Sequence, residues 1–168
     1  TDAEVDVAKL IKTYTGFHQV KAYWILTGVE GETDISTTTP TIDAEGRLVI
    51  RYVFDRNEYN VVIAGKDTAG IENITWTVNG TTVDGTESTV KYGSAITMTA
   101  TLKAGYSFNG WTSSRTDFAN ASSLVYSVTM PDLAKLTGEA TPTVTFTASA
   151  TANTVRSLKI LTTVSAEI

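Results

Sequence analysis

The stretch VKYGSAITMTATLKAGYSFNGW, residues 90–111, decides the fold. From Ala95 to Leu102 it alternates without a break: Ile96, Met98, Ala100 and Leu102 hold one parity, and Thr97, Thr99 and Thr101 hold the other. Period-two alternation is the pattern of a strand with one face in a core and the other in water. Threonine suits the outer face, because a β-branched side chain is stiff at χ1 and fits a pleated surface better than a helix. The end of the stretch has two readings. Asn109-Gly110 taken alone predicts a hairpin tip, with Trp111 opening the next strand. The alternative is a strand that runs on through Gly110, with Tyr106 and Phe108 on one side and a bulge that turns Trp111 back toward the same core.

The same device recurs outward in both directions. Ile74, Trp76 and Val78 alternate with Thr75 and Thr77, and Asn79-Gly80 follows at once, predicting a two-residue hairpin. Downstream, Leu124, Tyr126, Val128 and Met130 oppose Val125, Ser127 and Thr129, and Val144 and Phe146 oppose the threonines of TVTFTASAT. Upstream, QVKAYWIL (19–26) reads as a strand, and GVEGETD supplies a turn. Leu48, Ile50, Tyr52 and Phe54 share a face opposite Val49, Arg51 and Val53, which predicts a long strand with one buried face. DRNE (55–58) is expected to break it before another strand from Tyr59 to Ile63. In the first dozen residues Val7, Leu10 and Ile11 have helical spacing behind Asp2 as a cap, predicting a short helix. Ser113 to Ser123 has the Ser, Asp and Asn of an exposed connection, and TVRSLKILTTV (154–164) reads as extended. Short strands at regular spacing give a mostly β chain of small β-grasp-like or β-sandwich modules in tandem.

Composition narrows the function classes. The 168 residues include no cysteine, which removes disulfides, thiolate metal sites and cysteine nucleophiles together. The net charge is −5 and no run of Lys or Arg occurs, so neither a nucleic acid nor an anionic membrane surface is an expected partner. No apolar run is long enough to span a bilayer, so no membrane insertion is expected. Threonine makes up about one residue in five, and charged residues are only 18%, a bias shared with extracellular β-modules.

No constellation of reactive side chains stands out. His18 is the single histidine, and a general base or a zinc site needs convergent partners that its neighbours do not offer. The serines lack a Gly-x-Ser-x-Gly elbow. The acids cluster in turns (Glu30, Glu32 and Asp34; Asp43 and Glu45; Asp84 and Glu87) without the oxygen-ligand spacing of a calcium loop. Asn73, Asn79 and Asn120 open glycosylation triplets of the kind that a Thr-rich sequence produces by chance. Lys21 or Lys159 with Asn60 or Asn153 would be the pairs for an amide cross-link of the sort that replaces disulfides in some surface modules. Tyr23-Trp24 and Trp76 are the aromatics for sugar stacking, and adjacent strand residues point to opposite faces, so one of Tyr23 and Trp24 is expected to be exposed. Catalytic, cofactor-binding and metal residues are therefore expected to be absent, with no cofactor.

Lys91-Tyr92-Gly93, Gly105 to Trp111 and Thr129-Met130-Pro131 occur in order at suitable separations, and together they resemble the divergent internalin-type B-repeat over about residues 60–153. That pattern carries its glycine between Phe and Trp inside a continuing strand, which favours the bulge reading of residues 104–111. KTYTGFHQ and TIDAEGRLVIRYVFDRNEYNVVI look like the tail of a related bacterial surface repeat whose opening strand is absent. The resemblance implies three parts: 1–58 a partial surface repeat, 59–153 the B-repeat, and 154–168 a strand that completes one of the sheets or leads to the next repeat. It further implies a non-catalytic structural or adhesive segment of a bacterial cell-surface, extracellular protein. Its partners would be neighbouring repeats or other copies through edge strands, or a host or cell-wall glycan or protein. A carbohydrate-binding module is the alternative.

Overall fold

The computed structural model describes residues 3–154, so Asp2, Lys159 and nearly all of the C-terminal extended segment lie outside the described residues. Thirteen strands follow in order. β1 (Ala3–Glu4), β2 (Phe17–Leu26), β3 (Thr33–Asp34), β4 (Thr41–Ile42) and β5 (Leu48–Arg56) make up the N-terminal part. β6 (Glu58–Ala64), β7 (Ile71–Val78), β8 (Thr81–Thr82), β9 (Glu87–Lys91), β10 (Ala95–Leu102), β11 (Tyr106–Ser113), β12 (Val125–Thr129) and β13 (Thr143–Ala152) make up the rest.

β6 to β13 form two four-stranded sheets, in the orders β12-β10-β7-β8 and β11-β13-β6-β9. Their inner faces share one core, in which Trp76, Ile96 and Met98 from the first sheet join Tyr59, Val61, Trp111 and Phe146 from the second. This is the sandwich alternative. A β-grasp needs a helix across its sheet, and among the described residues the helical element is one 3-10 turn, Val7–Leu10. The alternation of β10 sorts as its sequence predicts, with Ile96, Met98 and Ala100 buried. Asn79 and Gly80 both take positive φ, 49° and 81°, the backbone that a two-residue hairpin loop demands, and Val78 pairs with Thr81 across it.

The stretch 104–111 takes the bulge reading. β11 runs through Gly110, its register against β13 shifts between Phe108 and Gly110, and Trp111 is wholly buried. The Phe108 and Trp111 rings meet edge to face with centroids 6.1 Å apart, so the extra residue has put both on the core side.

The N-terminal part holds a three-stranded sheet, β3-β2-β5, and a two-stranded ribbon, β1-β4. Several sequence expectations are corrected here. DRNE does not break β5 at Asp55: the strand continues through Arg56, because Asp55 and Arg56 still pair with His18 and Phe17, and only Asn57 separates β5 from β6. The face of Leu48, Ile50, Tyr52 and Phe54 is half-buried rather than buried, since only the thin segment around the 3-10 turn covers it, with Tyr52 Oη donating to the Val7 carbonyl at 3.0 Å. That turn follows Asp6, which makes no side-chain cap bond. Ser113 to Ser123 is not a wholly exposed connection, for Arg115 and Phe118 are both buried and Phe118 packs on Phe146 at 4.9 Å.

Candidate functional site: a locked junction and an aromatic groove

Of the stretches that carry the family resemblance, Gly105 lies toward one end of the sandwich, where its carbonyl accepts the Asn153 N–H at 2.8 Å, while Lys91-Tyr92-Gly93 and Thr129-Met130-Pro131 meet at the other. The Thr129-Met130-Pro131 turn is pinned there: Met130 is fully buried, its N–H donates to the Ser94 carbonyl at 2.9 Å, and its carbonyl accepts the Gly93 N–H at 2.8 Å. The pinned turn delivers Asp132. Its carboxylate accepts Tyr59 Oη at 2.6 Å, Asn57 Nδ2 at 3.0 Å and the backbone N–H of Gly16 at 3.0 Å. Gly16 in turn accepts the Asn57 N–H on its carbonyl at 2.8 Å, and Asn57 accepts the Tyr92 N–H at 2.9 Å. The N-terminal sheet is thus tied to the sandwich by backbone bonds and a carboxylate.

Gly16 is buried, with φ +76°, and a Cβ added to it would lie 2.2 Å from Cγ of Tyr92. The glycine lets the chain lie flat on the Tyr92 ring, and Phe17 then meets that ring edge-on at 5.9 Å. Around the rim, Arg56 Nη1 donates to the Tyr92 carbonyl at 3.2 Å and Lys91 Nζ pairs with Asp55 at 3.0 Å. His18 Nδ1 lies 3.1 Å from Asn57 Oδ1, so the one histidine serves the same junction. The Tyr59 hydroxyl, followed by the Asn57 amide and the Gly16 N–H, holds the Asp132 carboxyl below its ordinary value. Burial, followed by the hydrogen bond to Asp132, pushes the Tyr59 phenol up to about 12.

Beside the junction an apolar groove of about 500 Å³ opens on the half-buried face of β5, lined by Leu10, Lys12, Tyr14, Phe17, Tyr52 and Phe54. Tyr14 stacks edge-on against Phe54 at 5.0 Å, yet Tyr14, Phe17 and Leu10 all remain exposed. The expected sugar-stacking pair is placed otherwise. Tyr23 is buried beneath the Lys21 ammonium, which sits 4.3 Å from its ring centroid, and half-buried Trp24 donates its indole N–H to the Thr38 carbonyl at 3.2 Å. Neither ring is the free one that strand alternation predicts, because the loop carrying Glu32 and Thr38 folds over both faces of β2. Trp76 lies in the sandwich core, with its indole N–H on the Gly85 carbonyl at 3.0 Å.

The turn acids do local work. Asp34 accepts the N–H and hydroxyl of Ser36, each at 2.7 Å, and Asp43 accepts Arg47 N–H and Nε at 2.8 and 2.7 Å. Among the described residues no group of three or more His, Cys, Asp or Glu is placed to hold a metal ion. Lys21 is exposed and pairs with Glu32, not with an asparagine, and the Asn153 amide oxygen accepts Ser107 Oγ. Asn79 is spent on the turn, its Oδ1 accepting the Ala95 N–H at 2.9 Å.

Sequence reading missed Asp132 and the pair of buried Arg115 with half-buried Glu139. Arg115 donates Nη2 to both Glu139 oxygens at 3.0 and 2.7 Å, Nη1 to the Ala134 carbonyl at 2.8 Å and Nε to the Thr143 carbonyl at 2.9 Å. This one guanidinium closes the long 131–142 connection onto the start of β13.

Residues 73–155 match the sequence family described as the divergent InlB B-repeat domain. The match begins thirteen residues after Asn60, so β6 lies outside it even though β6 pairs with both β13 and β9 in the sandwich. No curated protein and no solved structure matches the chain.

Proposed function

We propose that this chain is a non-catalytic spacer segment of a bacterial cell-surface protein, in which residues 1–58 and 59–153 behave as one stiff unit. The observation that carries the reading is the junction at Asp132. Flexible tandem modules are joined by polar linkers with few contacts across them. Here one residue, Asn57, separates β5 from β6, and its backbone bonds to both sides. β6 is the strand that the family match leaves out, so the chain leading into the repeat completes the repeat's own sheet. A module built this way passes tension from the N-terminal sheet directly into sheet hydrogen bonds, which suits a part that sets distance and orientation at a cell surface. The buried reactive groups support the same reading, since Arg115 and Tyr59 are both saturated by partners within the fold.

Small-angle scattering tests the stiffness. The chain is expected to show a single maximum dimension that stays constant between low and high salt, with Gly16→Ala lengthening and broadening the distribution. Scattering from the unsubstituted chain that fits only two independently oriented lobes would overturn the proposal.

A further inference from the structure

The chain enters the sandwich on β6 and leaves it on β13, and these two strands lie side by side at the centre of one sheet, in the order β11-β13-β6-β9. They run parallel, in register from Asn60↔Thr143 to Ala64↔Thr147. The parallel sense decides how a pull along the chain meets the ladder. Tension drawn from the junction hauls β6 by its first residue toward that pole, while tension drawn from beyond Ala152 hauls β13 by its last residue toward the other. Bonds in a parallel ladder are evenly spaced, so strands pulled past each other along their own axes load all of them together, whereas strands pulled apart at one end break them in turn.

We infer that β6 and β13 form a shear clamp that makes the sandwich the load-bearing part of the chain, an inference that rests on the reading of the chain as a segment under tension. Central placement doubles the hold. β6 cannot slide without dragging along β9, to which Glu58 through Val62 are paired, and β13 cannot slide without dragging along β11, paired from Tyr106 to Ser113. The inward side chains resist the same movement. Tyr59, Val61 and Ile63 of β6 and Val144, Phe146 and Ala148 of β13 are all buried in the shared core, so sliding must carry them out of close-packed positions. Residues 65–142 lie off the line of force until the clamp yields.

The N-terminal sheet answers the same pull differently. β2 starts at Phe17 and β5 ends at Arg56, and those two residues are partners in an antiparallel pair. Tension therefore enters and leaves that pair at one end, and it unzips the pair one step at a time once the Gly16 bonds to Asp132 and Asn57 part. The chain thus places a weak element and a strong one in series along the same line of force.

Forced unfolding reads the unfolding barrier and not the equilibrium stability, so one sandwich pulled in two directions separates a clamp from general robustness. The chain has no cysteine, so thiol handles attach only where they are introduced. In the full chain, Lys12→Cys with Thr154→Cys pulls β6 and β13 from opposite ends, and Lys12→Cys with Thr141→Cys pulls both from the junction end; all three positions are exposed. Single-molecule pulling of the two double variants at one speed is the test. The first is expected to give a low-force step of about 140 Å from residues 17–56, then a sandwich step of about 300 Å from residues 58–152. The second is expected to release about 290 Å from residues 58–141 at a force several-fold below that sandwich step. Equal sandwich forces in the two directions, or a sandwich that yields before the N-terminal sheet in the first, would overturn the clamp. Scattering from the unpulled chain tests the spacer reading separately, and neither result fixes the other.

Discussion

The Asp132 carboxylate accepts the Gly16 backbone N–H at 3.0 Å across 116 residues of sequence. The same carboxylate takes Tyr59 Oη and Asn57 Nδ2, so one side chain fixes the relative placement of the N-terminal sheet and the sandwich. Asp132→Ala leaves three donors facing a gap, one of them on Tyr59, which is 1% exposed. Asp132 itself is solvent-exposed, so screening keeps the loss to about 1–2 kcal/mol. Chemical denaturation is expected to show that loss, and hydrogen exchange is expected to quicken at Gly16 and Asn57 while β10 and β13 stay protected. Uniform acceleration through the sandwich would show that Asp132 serves general stability instead of the junction.

Gly16→Ala strikes the junction from the other side. The substitution asks an L-residue to hold φ +76° and drives a methyl into the Tyr92 ring. Left-handed strain costs about 1–2 kcal/mol, and the clash adds to it unless Tyr92 swings away. Gly80→Ala is the control, for its φ is +81° with no atom near the added Cβ. Limited proteolysis is expected to cut Gly16→Ala near residues 12–18 and to leave Gly80→Ala intact.

The junction has a defined pH range. Asp132 is depressed in the folded state below its ordinary 3.8, so its contribution is complete above that value and is lost as pH falls through the folded pKa. Tyr59 is raised from 10.0 to about 12, so the neutral phenol's contribution is complete below pH 10 and is lost as pH rises toward 12. Melting temperature is expected to hold level between about pH 5 and 9 and to fall on both sides. Tyr59→Phe is expected to remove much of the alkaline fall, and Asp132→Asn much of the acid fall that belongs to the junction.

Arg115 and Glu139 make the second long-range closure, and here burial sets the scale. The guanidinium is 7% exposed and meets two carbonyls as well as the carboxylate. Removing it strands those acceptors, so Arg115→Ala is expected to cost about 3–5 kcal/mol in denaturant unfolding. Arg115→Lys is expected to cost nearly as much, because an ammonium on a flexible stem cannot reproduce the planar fork that serves Thr143, Ala134 and Glu139 at once. The Leu136 N–H first, and the Arg115 guanidinium after it, hold the Glu139 carboxyl below its ordinary value, so this closure also weakens in acid.

What was legible in the sequence followed from short-range rules. Alternation placed β7, β10, β12 and β13, and Asn79-Gly80 placed its hairpin, because strand parity and turn chemistry are properties of neighbouring residues. Asp132, Arg115 and Phe118 were not legible, since each is polar or loop-borne locally and gains its role from a partner 24 to 116 residues away. Tyr23 and Trp24 misled for a related reason: parity assigns faces, but the loop above β2 decides which faces meet water. Lys91-Tyr92-Gly93 and Thr129-Met130-Pro131 identified the repeat as patterns, and only the fold shows that they meet at the junction, where Tyr92 carries Gly16 and the pinned turn aims Asp132.

The bulge at Asn109-Gly110 separates the two sequence readings by experiment. In a hairpin tip both residues would carry the turn, and each would be costly to replace. In β11, Gly110 has φ +130° and a Cβ added there would lie 2.6 Å from the Ala121 carbonyl oxygen, while Asn109 is exposed and offers only its Oδ1 to Thr151 at 3.0 Å. Gly110→Ala must therefore push away the strand segment that bridges Trp111 to Ala121, whose backbone bonds are 2.7 and 3.1 Å. The expected loss is at least about 3 kcal/mol, with Trp111 fluorescence shifting to the red as its indole meets water. Asn109→Ala is expected to stay within about 1 kcal/mol of the unsubstituted chain. Comparable losses from the two substitutions would return the stretch to the hairpin reading and remove the bulge as the reason Trp111 faces the core.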